Sequence, residues 1–318
     1  MTRPADATWL RPLGSTGITV SALTLGGGPL GSMPALFGDT VPTERAIELV
    51  HRAFESPVRT IDTSNGYSDG ESERRIGAAI AAAGGLPDGV NIITKVDPRD
   101  GDFSGDRVRE SVRESKERLG LDHLPLVHLH DPENFAFEQI SAPGGAVDTL
   151  VELREAGEIG AIGLAGGPIP EMRRYLALEV FDAVLVHNRW TLVDRSAGPL
   201  RADAEALGIP LINAAVHGSG ILADPTIDRY AYRPANEGVR RAVDAMVEVC
   251  AAFGTTLAVT ALQFSLRDPG IATSIVGMSS PERLDQTLRA AEQSLPDELF
   301  TELERHVPEP QWWLEPTS

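Results

Sequence analysis

Asn91-Ile92-Ile93-Thr94-Lys95-Val96 is a short, mostly apolar run, and Leu126-Val127-His128-Leu129-His130 is a second. Between them, residues 107–119 place Val108, Val112 and Leu119 on one face of a helix. An extended run, an amphipathic helix and another extended run make a βαβ unit, whose two strands lie parallel. The same unit recurs outward in both directions. Upstream, residues 59–62 read as a strand, followed by a helix from about position 73 with Ile76 and Ile80 inward. Before that, residues 22–25 precede a helix that carries Ile47, Val50 and Phe54 on one face, with Thr43 as its expected N-cap. Downstream, Val147, Leu150 and Val151 mark a helix that Gly157 stops. Strands follow at 159–164, 182–187 and 210–215. A helix with Val239, Val243, Met246 and Cys250 on one face then leads to a strand at 273–276 and a last helix after Pro281. Eight such units predict an α/β fold: a closed (β/α)8 TIM barrel spanning 1–318 as one domain. Residues 13–20 read as an N-terminal β-hairpin, and 224–236 as an insertion after the seventh strand. The alternative is an open, doubly wound sheet. It lacks its phosphate-binding signature, because Gly26-Gly27-Gly28-Pro29 follows the first strand where Gly-x-Gly-x-x-Gly would stand.

Of the 318 residues, 42% are hydrophobic and 23% charged, an ordinary globular balance. The formal net charge is −18, with acids and bases interspersed. That excess argues against a nucleic-acid or anionic-membrane partner, both of which draw on clustered Lys and Arg. The single cysteine, Cys250, excludes an intrachain disulfide. Residues 1–10 lack an apolar signal core, and no run is long enough to span a bilayer. The expectation is a cytoplasmic protein.

In a barrel, chemistry gathers at the C-terminal ends of the strands. There the sequence puts Asp62, then Tyr67 in the loop beyond, then Lys95 and His130. Each has a bland alternative: a turn aspartate, a packing tyrosine, a lysine snorkelling to the barrel mouth. Together they make coherent chemistry. An ammonium at Lys95 is expected to lower the pKa of the Tyr67 phenol, with Asp62 keeping Lys95 charged. His130 can orient a substrate oxygen. Such a set suits proton transfer at an oxygen while a cofactor moves hydride at carbon. His128 and His130 point to the same side of their strand. They could instead form a metal pair in a barrel hydrolase, joined by His187 and His217.

The ordered set Asp62-Thr63-x-x-x-Tyr67-x-x-Gly70-x-Ser72-Glu73-x-x-x-Gly77, Thr94-Lys95, Leu119-Gly120-Leu121-Asp122 and His130-Asp131-Pro132 resembles the aldo-keto reductase superfamily. The resemblance covers nearly the whole chain. It implies a (β/α)8 barrel that binds NAD(H) or NADP(H), and a tetrad of Asp62, Tyr67, Lys95 and His130 with Tyr67 as general acid or base. It further implies a cofactor site at Gly27, His187, Trp190, Gly218, Ser219, Gly220, Gly277 and Arg283, with Trp190 stacked on the nicotinamide. Ala165-Gly166 stands where the family often has Ser-Asn for the carboxamide. Gly277-Met278 stands where NADP-dependent members often carry a basic residue, which favours NAD. The tracts Gly28-Pro29-Leu30-Gly31, Asn188-Arg189-Trp190-Thr191-Leu192 and Ser219-Gly220-Ile221-Leu222-Ala223 are most similar to the branch of D-threo-aldose and L-fucose 1-dehydrogenases and pyridoxal dehydrogenase. A sugar-like hemiacetal or a small carbonyl is then the expected substrate, walled by Phe37, Trp312 and Trp313. Channel-associated members of the superfamily supply another alternative, a redox-sensing module that binds the cofactor with little turnover.

Overall fold

The structure is a computed structural model and describes residues 3–34 and 40–315. Eight parallel strands close into a barrel: β3 (Leu23–Gly26), β4 (Thr60–Asp62), β5 (Asn91–Val96), β6 (Leu124–His130), β7 (Ile159–Gly166), β8 (Ala183–His187), β9 (Leu211–Ala214) and β10 (Ile271–Gly277). They pair in chain order, and β10 pairs with β3 to complete the ring. A two-stranded antiparallel hairpin, β1 (Leu10–Pro12) and β2 (Thr19–Ser21), precedes the barrel. Its Leu13, Ile18 and Val20 are buried with the inward residues Ile93, Leu126, Leu185, Ile212 and Ile275. The hairpin therefore plugs the N-terminal end of the barrel and leaves the opposite end for chemistry.

Local sequence explains the helices around the ring. Ser104 caps the helix Gly105–Leu119 by accepting the backbone N–H of Arg107, and Gly120 ends it at φ 68°. Ser280 caps the helix Pro281–Glu292, whose first residue is a proline, and Asn236 caps Glu237–Ala252. Thr43 is not a cap: it is the first helical residue of Thr43–Phe54. The extended, ring-locked Pro42 precedes it and turns the chain into the helix without a side-chain bond.

The span between β9 and β10 holds two helices, Glu237–Ala252 and Leu257–Arg267. The second carries no clean polar face, because Leu257, Thr260, Ala261, Leu262, Gln263, Ser265 and Leu266 are all buried. A second apolar cluster unites these two helices with Leu295, Leu299 and Leu303 from the C-terminal segment. Among the described residues, no single helix is long and apolar enough to cross a membrane.

Candidate active site

Strand register brings three of the four expected residues to the same end of the barrel. Asp62 pairs with Gly26 and Ile93, Lys95 with His128, and His130 with Ala165. Lys95 Nζ donates to Asp62 Oδ1 at 2.6 Å, to the Thr63 carbonyl at 2.6 Å and to the Tyr67 hydroxyl at 3.3 Å. All three ammonium protons thus have acceptors, and the side chain is 2% exposed. The Tyr67 and His130 rings meet edge to face with centroids 5.7 Å apart.

The longer motif around Tyr67 is scaffold. Thr63 and Ser72 hydroxyls bond at 2.8 Å, and Ser72 donates to the Gly27 carbonyl at 2.7 Å. Glu73, fully buried, accepts from Thr94 at 2.7 Å and from Arg118 at 3.1 Å. Gly70 turns the chain at φ +82°. At Gly77 a Cβ would stand 1.9 Å from the Arg118 carbonyl, so only glycine lets the two helices approach this closely.

Charge follows burial and neighbours. Burial works against the charge on Lys95, yet Asp62 and Tyr67 hold it protonated, above the ordinary lysine range. Burial pushes Asp62 up and Lys95 pulls it down, and the short contact keeps the pair ionised. For Tyr67 the expected depression is not what the resting pocket contains. Burial raises the phenol above its usual value, with Asp62 adding to the rise and Lys95 opposing it. The physical reason is that burial disfavours the charged phenolate by more than the Lys95 ammonium favours it, and Asp62 offsets part of that ammonium's field.

His128 and His130 have different fates. His128 is fully buried inside the barrel, and burial pushes it well below the usual histidine range. Its ring fills the space opposite Gly163, where a Cβ would lie 2.0 Å from Nδ1. His130 faces the pocket, and its Nδ1 lies 2.6 Å from Asp97 Oδ1. With one ring sealed and the other committed to Asp97, the two do not open together on a metal position. His187 lines the same pocket, held neutral at neutral pH with a pKa of about 4 by burial, despite nearby Asp131. His217 lies farther along the groove, its Nε2 3.1 Å from the Ala258 carbonyl.

Two cavities meet at the mouth. One, about 340 Å³, is lined by Asp62, Tyr67, Lys95, His130, His187 and Met33. The other, about 440 Å³, runs past Ser219, Gly220 and Ser279 to Arg283. Pro29, Ala215, Tyr232, Ile275 and Gly277 line both. A Cβ at Gly277 would stand 3.2 Å from Pro29 and narrow the junction. Gly218, Ser219 and Gly220 bend the chain there at φ values of 59°, 60° and 125°.

Several expected residues fall elsewhere. Gly27 is behind the wall: its neighbours Gly26 and Gly28 line the pocket, whereas a Cβ on Gly27 would strike the Asp62 carbonyl at 2.7 Å. Trp190 lines neither cavity at the mouth. Its Nε1 donates to Asp268 at 2.8 Å, and its ring packs against Phe264 and under the Arg201 guanidinium. Besides Tyr67, Tyr232 brings an aromatic ring to the mouth, 6.4 Å from that of His187. Trp312 sits on the outside, against Gly238, where a Cβ would lie 2.2 Å from its ring, and Arg241 covers it. Neither Trp312 nor Trp313 lines either cavity, because the C-terminal segment packs on the helix Glu237–Ala252. Phe37 lies outside the described residues. Sequence reasoning missed Asp97 and Tyr232.

Fold and site together define a (β/α)8 barrel with a lysine-bound tyrosine at the C-terminal mouth of its strands. The chain belongs to the Aldo/keto reductase family, whose sequence profile matches residues 22–308. Members of this family use NAD(P)(H), and the chain is an oxidoreductase acting on carbonyl or alcohol groups. It is 31% identical to L-galactose dehydrogenase of Arabidopsis thaliana, over 88% of this chain and 87% of that one. It is 29% identical to pyridoxal 4-dehydrogenase of Microbacterium luteolum, covering 92% and 96%, and 29% identical to D-threo-aldose 1-dehydrogenase of a Pseudomonas species, covering 93% and 97%. Its fold matches the aldo-keto reductase AKR11C1 of Bacillus halodurans with a TM-score of 0.75 at 21% identity, over 94% of this chain and 96% of that one.

Proposed function

We propose that this chain transfers hydride between a nicotinamide nucleotide and a sugar-like hemiacetal or small carbonyl, with Tyr67 as the general acid or base. The observation that carries this reading is the Asp62–Lys95–Tyr67 chain of contacts at 2.6 and 3.3 Å, opening on a pocket that His130 also lines. The joined cavities fit a dinucleotide. One ends at Lys95 and Tyr67, the other at Arg283 and the capped N-terminus of Pro281–Glu292, where backbone N–H groups and a guanidinium suit phosphate. Ser219, Gly220, Gly277 and Arg283 are the residues that would hold it, with His187 beside the reacting end. Bound there, the nucleotide supplies or accepts the hydride.

The rest of the chemistry belongs to the chain's own side chains. In reduction, the Tyr67 hydroxyl gives its proton to the substrate oxygen as the carbon gains hydride, and Lys95 stabilises the phenolate left behind. In oxidation the same phenolate takes the hydroxyl proton. Gly277-Met278 adds no cation after β10, which supports NAD over NADP. The sugar-like substrate rests on the relatives, two of which are named for L-galactose and D-threo-aldose. Purified protein mixed with NAD or NADP and a panel of aldoses tests this directly, with reduced nucleotide followed by absorbance. Oxidation of one or a few aldoses with NAD preferred is the expected outcome. Nucleotide binding without turnover in either direction would instead favour the redox-sensing alternative.

A further inference from the structure

We propose that Asp97 is a positioning residue that fixes the tautomer and charge of His130, so that Nε2 is the ring atom presented to substrate oxygen. This inference rests on the reading of His130 as the group that meets that oxygen. Asp97 lies two residues beyond Lys95 and is 9% exposed. Its carboxylate has three partners: Oδ1 faces His130 Nδ1 at 2.6 Å, while Oδ2 accepts the backbone N–H of Gly66 at 2.7 Å and the Ser64 hydroxyl.

The proton bookkeeping settles which ring nitrogen carries hydrogen. A carboxylate only accepts, so the contact at Nδ1 requires Nδ1–H. Ser64 Oγ also lies 3.1 Å from Nδ1, but its single proton is directed at Asp97, so toward the ring it too accepts. Nδ1 therefore keeps its hydrogen whether the ring is neutral or charged. Nε2 carries a lone pair in the neutral ring and a hydrogen in the cation. The first accepts from a substrate hydroxyl, and the second donates to a substrate carbonyl.

The arrangement is fitted from both sides. A Cβ at Gly66 would lie 2.8 Å from the Asp97 carboxyl carbon, so position 66 must stay bare for Asp97 to fit. Other charged and titratable groups also face His130. Asp131 Oδ2 is 3.9 Å from Nε2 but 41% exposed and well solvated, and Glu133 and Asp62 add weaker negative fields. Lys95, His128 and His187 oppose a charge on the ring, and Tyr67 meets it by its edge. Burial also opposes that charge, yet His130 sits above the usual histidine value, with Asp97 the largest favourable influence.

The test uses the full-length protein with labelled histidine. Nitrogen NMR reads the tautomer and titration of His130, assigned by difference from His130→Gln. In Asp97→Asn the single amide oxygen is drawn by the Gly66 N–H and the Ser64 hydroxyl and the amide NH2 turns toward Nδ1, so the fixed Nδ1–H signature is expected to be lost and the His130 titration to fall by about one pH unit or more. The His130-dependent limb of kcat/KM for carbonyl reduction should move down with it, while nucleotide affinity stays unchanged. Gly66→Ala crowds the carboxylate without removing charge, so a smaller shift in the same direction is expected if Asp97→Asn does not fold. An unchanged His130 tautomer and titration in folded Asp97→Asn, or in Gly66→Ala if that variant alone folds, would overturn the proposal. A shifted titration with an unmoved kinetic limb would count against His130 as the substrate-facing group, and so against the functional reading. The NMR arm needs no turnover, which keeps the two failures apart.

Discussion

At the scale of single residues, the site is organised by one buried ion pair. Lys95 and Asp62 are 2% and 4% exposed, so neither charge has water to fall back on. Removing one partner leaves the other buried and uncompensated, which costs about 3–5 kcal/mol. Asp62→Asn should therefore lower thermal stability as well as activity; a melting temperature equal to that of the parent would show that the pair is not holding Lys95. The same surroundings set the direction of the pH dependence. Burial keeps Tyr67 protonated above its ordinary range, so at neutral pH it is a proton donor, ready for reduction. Oxidation needs the phenolate and should accelerate as pH rises from about 7 to 9, since rate follows the deprotonated fraction. Reduction should weaken with rising pH as His130, held above the usual histidine range chiefly by Asp97, gives up its proton. Both directions measured across pH on folded enzyme check this, and oxidation that slows with rising pH would contradict it.

At the scale of elements, the loop that carries Tyr67 is held by helix contacts as well as by its own turns. The helix Glu71–Ala82 meets Gly105–Leu119 at Gly77, and Arg118 from the second helix bonds the Asn65 carbonyl and Glu73. Gly77→Ala forces those helices apart. Overpacking of this kind costs about 1–3 kcal/mol. A lowered melting midpoint is expected, together with reduced kcat as the loop that carries Tyr67 shifts. Unchanged stability would mean that the two helices separate freely. The elements themselves were largely readable. The strand Asn91–Val96 has the limits that its apolar run predicts, and β6, β7 and β10 run only a residue or two beyond theirs. Burial on both faces makes a barrel strand a plain apolar run. The helix Leu257–Arg267 was missed for a related reason: it is covered nearly all round and offers no amphipathic stripe.

At the scale of the whole molecule, what could be read was what lies at strand ends, and what could not was decided by distant partners. Asp62, Lys95 and His130 lie at the C-terminal ends of their strands, so the barrel topology alone brings them together. Trp190 lies three residues beyond a strand, but Asp268, 78 positions later, draws its indole away from the mouth. The role of Asp97 depends on His130 and Gly66, 33 and 31 positions away, which no local pattern joins. Trp312 needed the bare surface of Gly238 to explain its place. The measurement that bears most directly on the central claim is turnover and nucleotide affinity of Tyr67→Phe beside the parent enzyme. This variant keeps the ring and deletes only the hydroxyl proposed to exchange the proton. Nucleotide affinity should be nearly unchanged, while kcat should fall by about two to four orders of magnitude, the range that general acid–base catalysis contributes. Retained turnover in Tyr67→Phe would remove Tyr67 from the chemistry and with it the mechanism proposed for this site.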